Sequence, residues 1–142
     1  MTRVLVVNGP NLDRLGTREP EIYGRTTLAE IAATLRTQAA VLGLDVEFFQ
    51  SADEPALIEA IQRADADGII VNPAAFTHFS HALADALGAT GVPVVEVHLS
   101  NIHAREPYRR TSVVSPVARA VVCGCGPAGY GYALDTLSRM LS

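Results

Sequence analysis

The chain has 142 residues, 49% of them hydrophobic, and a formal net charge of −4. That length suits one domain with a core of ordinary size, and the acidic balance disfavours nucleic acid, which is bound by basic faces. No apolar run approaches the roughly 18 residues of a membrane span, and because all 11 basic residues are arginine, a lysine Schiff base, a phosphate-loop lysine and a pyridoxal phosphate anchor are excluded.

The chain enters a strand-like pattern at Met1–Pro10 (MTRVLVVNGP) without the parts of a signal peptide. Arg3–Val7 is a short apolar run, as expected of a strand covered on both faces. The connection that follows runs to about Thr26, long against the usual 2–6 residues, and it carries Arg18, Tyr23 and two glycines. From Thr27 the period becomes helical: Leu28, Ile31, Leu35 and Leu42 share a face, Thr27 and Glu30 form a capping box, and Gly43 is the stop. Asp45–Phe49 is a second strand, and Asp53-Glu54-Pro55 opens a second helix carrying Leu57, Ile58 and Ile61. Gly68–Val71 is a third strand, and the spacing predicts a third helix over His78–Leu87. Val92–Val97 is a fourth strand, Ala118–Cys123 a fifth, and Tyr130–Leu141 a closing helix. Cys123 and Cys125 have no second Cys or His pair to complete a zinc site, so they read as reduced thiols and point to the cytoplasm.

Five strands alternating with helices predict an α/β fold, a flavodoxin-like three-layer sandwich with a five-stranded parallel sheet of order 2-1-3-4-5, spanning residues 1–142 as one domain. Such sheets bind ligands beyond the carboxyl ends of their strands, where the strand order reverses. Polar residues emerge there: Asn8 to Asn11 after strand one, Asn72 after strand three, Glu96 and His98 at the end of strand four. The overlong first connection at the same edge predicts a lid.

The chemistry narrows by elimination. There is no Gly-x-Ser-x-Gly elbow, and neither cysteine lies near a histidine in sequence or on a predicted helix start, which disfavours acyl transfer. Gly9-Pro10-Asn11 is not a glycine-rich phosphate cradle. Proton chemistry on a small anionic molecule remains. A tyrosine close to arginines loses its proton below the reference value of about 10, since a nearby cation lowers an acid's pKa by roughly 1–3 units. Glu96 and His98, two apart on a strand, share one face, where the carboxylate fixes the imidazole tautomer. With the Arg105, Arg109 and Arg110 cluster, these are a base, an acid, an orienting group and a cationic clamp, the parts of an elimination next to a carbonyl.

Four blocks in this order, NGPNLDRLGTREPEIYG, NPAAFTH, EVHLSNIHAREPYR and GCGPAGYGYAL, resemble type II 3-dehydroquinate dehydratase over nearly the whole chain. The resemblance implies a flavodoxin-like enzyme assembled as a dodecamer of four trimers. It implies dehydration of 3-dehydroquinate to 3-dehydroshikimate by anti elimination through an enolate, with no cofactor and no metal. It further implies that Tyr23 is the base, that Arg18 and Arg105 lower its pKa, and that Asn11 with Pro10 holds a water for the enolate oxygen. His98 would be the acid, oriented by Glu96, with Asn72 placing the leaving hydroxyl. Leu99 and Ser100 would receive the carboxylate, His78 and Arg109 the ring hydroxyls, and Asp85 would reach a neighbouring subunit's site. The chain departs from the family's usual run at Phe79, in place of a small hydroxyl side chain, and at Ala84, in place of an arginine; Cys125 stands where leucine is usual. The changed third helix leaves open a non-catalytic paralogue that binds quinate-like acids.

Overall fold

The alternation along the first strand decides the architecture. In β1 (Thr2–Asn8), Val4 and Val6 face one way and Leu5 and Val7 the other, and all four are buried. Such a strand needs cover on both faces. A computed structural model describes every residue but Arg18, and Tyr23 by its backbone alone. It shows β2 (Leu44–Gln50), β3 (Gly68–Asn72), β4 (Val94–His98) and β5 (Ala120–Cys123) completing a parallel sheet of order β2-β1-β3-β4-β5. The expected topology is therefore the observed one.

After β1 come a 3₁₀ turn at Leu12–Arg14 and a short helix α1 (Pro20–Tyr23), so the long first connection has structure of its own. Helix α2 (Leu28–Leu42) and helix α5 (Ala128–Leu141) cover one face, packing Ile31, Leu35, Ala133, Leu134 and Leu137 on Val4, Val6, Ile70 and Val95. Helices α3 (Glu54–Arg63) and α4 (His81–Ala89) cover the other, with Leu57, Ile61, Leu83 and Leu87 on Leu5, Val7, Ile69 and Val71. Among the described residues, no helix is long and apolar enough to cross a membrane.

The local signals hold at α2: the Thr27 hydroxyl accepts from Glu30 N–H, and Gly43 ends the helix at φ 73°. The Glu30 carboxylate accepts from the Thr27 hydroxyl rather than from its backbone, a variant of the expected box. At α3, Asp53 caps and Pro55 sits in the first turn.

The third helix is corrected. It begins at His81, because the Ser80 hydroxyl accepts from Leu83 N–H and terminates it on that side. Residues Ala74–His78 form a separate 3₁₀ turn, so His78 belongs to the carboxyl edge of the sheet and not to the helix. The fourth strand starts two residues later than expected and extends to His98, the fifth starts at Ala120, and the last helix starts at Ala128. Ala84 is buried in the core and Phe79 is exposed, edge-on to Phe76 with ring centres 5.8 Å apart.

The two central strands close on each other at Gly9. Its N–H donates to the Asn72 carbonyl at 2.8 Å, and a Cβ there would meet the Pro73 carbonyl carbon at 2.7 Å. Gly9→Ala must push two backbones apart and is expected to cost about 1–3 kcal/mol or more. Gly129→Ala, whose Cβ meets nothing closer than 3.5 Å, gains helix propensity and is the neutral-to-stabilising control. Urea unfolding midpoints of the two variants check the contrast.

Candidate active site

Strands β1, β3 and β4 are neighbours and end at one edge in Asn8, Asn72 and His98. A cleft opens above them. Asn11 and Pro10 form one wall, Asn72 and His98 the floor, Leu99 and Ser100 a second wall, and His78, Arg105 and Arg109 the rim. Residues predicted from three separate stretches of sequence therefore converge.

Glu96 lies just beneath, with its carboxylate fully buried. It accepts hydrogen bonds from Thr77 Oγ1 (3.0 Å), Ser112 Oγ (2.8 Å) and Ser115 Oγ (2.6 Å), and His98 Nε2 closes the set. Burial pushes this carboxyl up, but the hydrogen bonds from His98 and Ser115, the charge of His98 and the Ser112 hydroxyl outweigh it and hold the carboxyl below its ordinary value. An ionised carboxylate only accepts, so Nε2 is the donor and its proton fixes the tautomer. Nδ1 is then the ring nitrogen left for a ligand. The shared face expected for Glu96 and His98 is observed.

The rim is cationic and braced. Arg105 Nη1 donates to Ser100 Oγ at 3.3 Å, and Arg109 Nε donates to Glu106 at 2.7 Å while its guanidinium lies 4.9 Å from the Tyr108 ring centre. Arg105 approaches the same Glu106 oxygen at 3.9 Å. The Glu106 carboxyl is held below its ordinary value, first by its own backbone N–H and then by Arg109 and Arg105. His78 Nδ1 bonds the Thr111 carbonyl at 2.8 Å.

Two backbone positions at the cleft are unusual. Asn11 and Ala74 both adopt positive φ, 69° and 53°. Such conformations persist only where the surroundings enforce them, and they cluster at working sites. Ala74 N–H donates to Asn72 Oδ1 at 3.1 Å.

Not every expectation is met in the cleft. Arg110 is exposed outside it, because the 3₁₀ turns at Ile102–Ala104 and Pro107–Arg109 turn only Arg105 and Arg109 inward. Asp85 is exposed on α4, away from this chain's own cleft. Arg18 lies outside the described residues, and for Tyr23 only its backbone, ending α1 in the first connection, is described. Cys123 and Cys125 are free; burial, then Cys125 and Glu96, push the Cys123 thiol up. Among the described residues no group of three His, Cys, Asp or Glu is placed to hold a metal ion.

Residue-by-residue reading missed Thr77, Ser112, Ser115, Glu106 and Tyr130 as parts of the site. The Tyr130 hydroxyl, fully buried, donates to Asn8 Oδ1 at 2.6 Å and accepts from Asn72 Nδ2 at 3.0 Å. The available signal was Asn8 itself, an amide at the end of an otherwise apolar strand and in register with Asn72.

Comparison with known proteins decides the family. The model for the family described as "Dehydroquinase class II" matches residues 2–138. The chain belongs to that family, and with it to the hydro-lyases. It is 55% identical over 143 residues to the 3-dehydroquinate dehydratase of Methylococcus capsulatus, covering 99% of this chain and 97% of that one. The crystal structure of type II dehydroquinase from Butyrivibrio crossotus superposes with TM-score 0.94 at 40% identity, covering 96% of this chain and 97% of that one. The corresponding structure from Propionibacterium acnes gives TM-score 0.93 at 45% identity, covering 98% and 97%.

The Glu96 cage makes stability depend on pH. Its carboxyl titrates below the ordinary 4.5 in the folded protein, so its contribution is present at neutral pH and is lost as pH falls through the folded-state value. Glu96→Gln, which replaces a charged acceptor with an amide whose NH₂ end cannot accept, is expected to cost on the order of 3 kcal/mol at pH 7. The gap from the parent should narrow below about pH 4.5, as urea unfolding between pH 3 and 7 will read.

Proposed function

We propose that this chain removes water from 3-dehydroquinate to give 3-dehydroshikimate by an anti elimination with a tyrosine base and a histidine acid. The observation that carries this reading is the buried Glu96–His98 pair at the floor of a cleft rimmed by Arg105 and Arg109. It combines an oriented proton donor with permanent positive charge, which suits a small carboxylate.

The same reading assigns the steps. Tyr23, on α1 beside Arg18 in sequence, takes the proton from C2, and the electrons move into the adjacent carbonyl to give an enolate. A water held by Asn11 and Pro10 donates to the enolate oxygen. The enolate then reforms the carbonyl as the C1–O bond breaks, and His98 Nδ1 delivers a proton to the departing hydroxyl, which leaves as water. Glu96 faces the imidazolium charge that a donor at Nδ1 requires. Asn72 holds the leaving hydroxyl, Leu99 and Ser100 receive the substrate carboxylate, and His78 and Arg109 bind the ring hydroxyls. Arg105, through Ser100, joins the carboxylate seat to the cation that favours the phenolate. Residues 1–142 act as one catalytic domain. It works without cofactor or metal and without nucleic-acid or membrane partners, in the cytoplasm.

Assembly into a dodecamer of four trimers is part of the same reading. Asp85 is supported in a cross-subunit role by its exposure on α4, with its neighbours Ala84 and Ala86 buried. Sizing of the purified protein tests it.

Absorbance of the conjugated enone reports turnover directly, and folded protein that produces no such signal from 3-dehydroquinate sinks the reading. Tyr23→Phe removes only the proton acceptor. It is expected to lower kcat by about 10²–10⁴-fold and to leave KM within a few fold, so retained turnover would strip Tyr23 of its role.

A further inference from the structure

We propose that Tyr130 is a positioning residue for the dehydration: its buried hydroxyl locks the Asn72 amide in the orientation that the Ala74 N–H selects, so that substrate meets an N–H donor. The inference rests on the reading that Asn72 touches the leaving hydroxyl.

Three polar side chains from three elements are buried together at the carboxyl edge of the sheet: Asn8 of β1 at 1% exposure, Asn72 of β3 at 3% and Tyr130 of α5 at 1%. Burying polar groups is unfavourable unless each is paired, and these are. The polarity of the chain is forced from one end. Ala74 N–H can only donate, so the Asn72 atom it meets is Oδ1. The other end of that amide is therefore Nδ2, which donates to the Tyr130 oxygen at 3.0 Å. Tyr130 has a single O–H, and it goes to Asn8 Oδ1 at 2.6 Å. Burial pushes the phenol far above its ordinary value, so it stays a neutral hydroxyl that donates once and accepts once across the working pH range.

Asn72 thus has its oxygen committed to Ala74 and one amide hydrogen committed to Tyr130. Its remaining amide hydrogen is the group available to the cleft that it lines beside His98. An N–H donor suits a hydroxyl oxygen that gains negative charge as its bond to carbon breaks. A flipped amide would offer a lone pair instead. Without the Tyr130 oxygen, only the Ala74 N–H holds the orientation, and Asn8 Oδ1 loses its donor as well.

The test is a double-mutant cycle on kcat with folding followed in parallel. Tyr130→Phe is expected to lower kcat about 10- to 100-fold, with KM changed less than about threefold. In an Asn72→Ala background the same change should lower kcat by less than about threefold, while its effect on the melting temperature appears in both backgrounds. A merely structural role would give the same kcat loss in both. Additive kcat losses, or Tyr130→Phe retaining kcat within about twofold, overturn the proposal. If Tyr130→Phe does not fold, Asn8→Ala, which removes the acceptor that orients the phenol, carries the same cycle with the same criteria. Absence of turnover in the parent protein would instead defeat the reaction assignment, so the two failures are told apart.

Discussion

A carboxylate taken out of water is tolerated only when its lone pairs are all used, and the arrangement of this cleft follows from satisfying that demand at Glu96. Its four partners come from separate parts of the chain: His98 from the same strand, Thr77 from the turn after β3, and Ser112 and Ser115 from the segment following the arginines. One buried charge therefore ties the 99–117 excursion to the sheet. The Val113 N–H bond to the Thr77 carbonyl, at 2.8 Å, fastens the same two segments through the backbone. The interaction that orients His98 also holds the loop that carries Arg105 and Arg109, so the proposed acid and clamp share one anchor.

The neighbouring floor is built on the opposite principle. Asn8, Asn72 and Tyr130 carry no charge, and their hydrogen bonds run in one direction from a single backbone donor. Neutral groups of this kind need no counter-ion and hold their geometry at any pH where the protein is folded. The local cost is backbone strain at Ala74 and Asn11, carried by residues locked between the central strands and the cleft. A floor of fixed dipoles beside one buried carboxylate suits the transition state of the proposed elimination, in which charge would move from a ring carbon to a leaving oxygen.

Periodicity exposed the fold because each local choice agrees with the sheet it serves. The two-sided strands, the Thr27 and Asp53 caps and the Gly43 stop are local features and were legible as such. The third helix was misplaced because apolar spacing continues through Phe79, while the boundary is set by a side chain, Ser80, that also donates to Glu54 of another helix at 2.6 Å. Glu96 and His98 were legible because strand alternation places them together. The hydroxyls around Glu96 were not, since Ser112 and Ser115 lie 16 and 19 residues away in a segment without periodicity. Arg110 looked equivalent to Arg105 and Arg109 in sequence. Only the 3₁₀ turns distinguish them.

That sorting has an electrostatic consequence. The protein carries a net charge of −4, yet two permanent cations are drawn to one rim, where both approach the Glu106 carboxylate. One negative charge against two positive ones leaves the rim positive on balance. A local field of that sign at the mouth of a cleft raises the encounter rate of a small anion even where the whole molecule would repel it. Inside, the balance reverses: Glu96 supplies a negative charge below His98, which suits the proton-donor role proposed for that imidazole. The cleft therefore separates two tasks by depth. In the proposed reaction, guanidinium charge that cannot be lost would hold the substrate at the surface, and the buried pair beneath would move the proton.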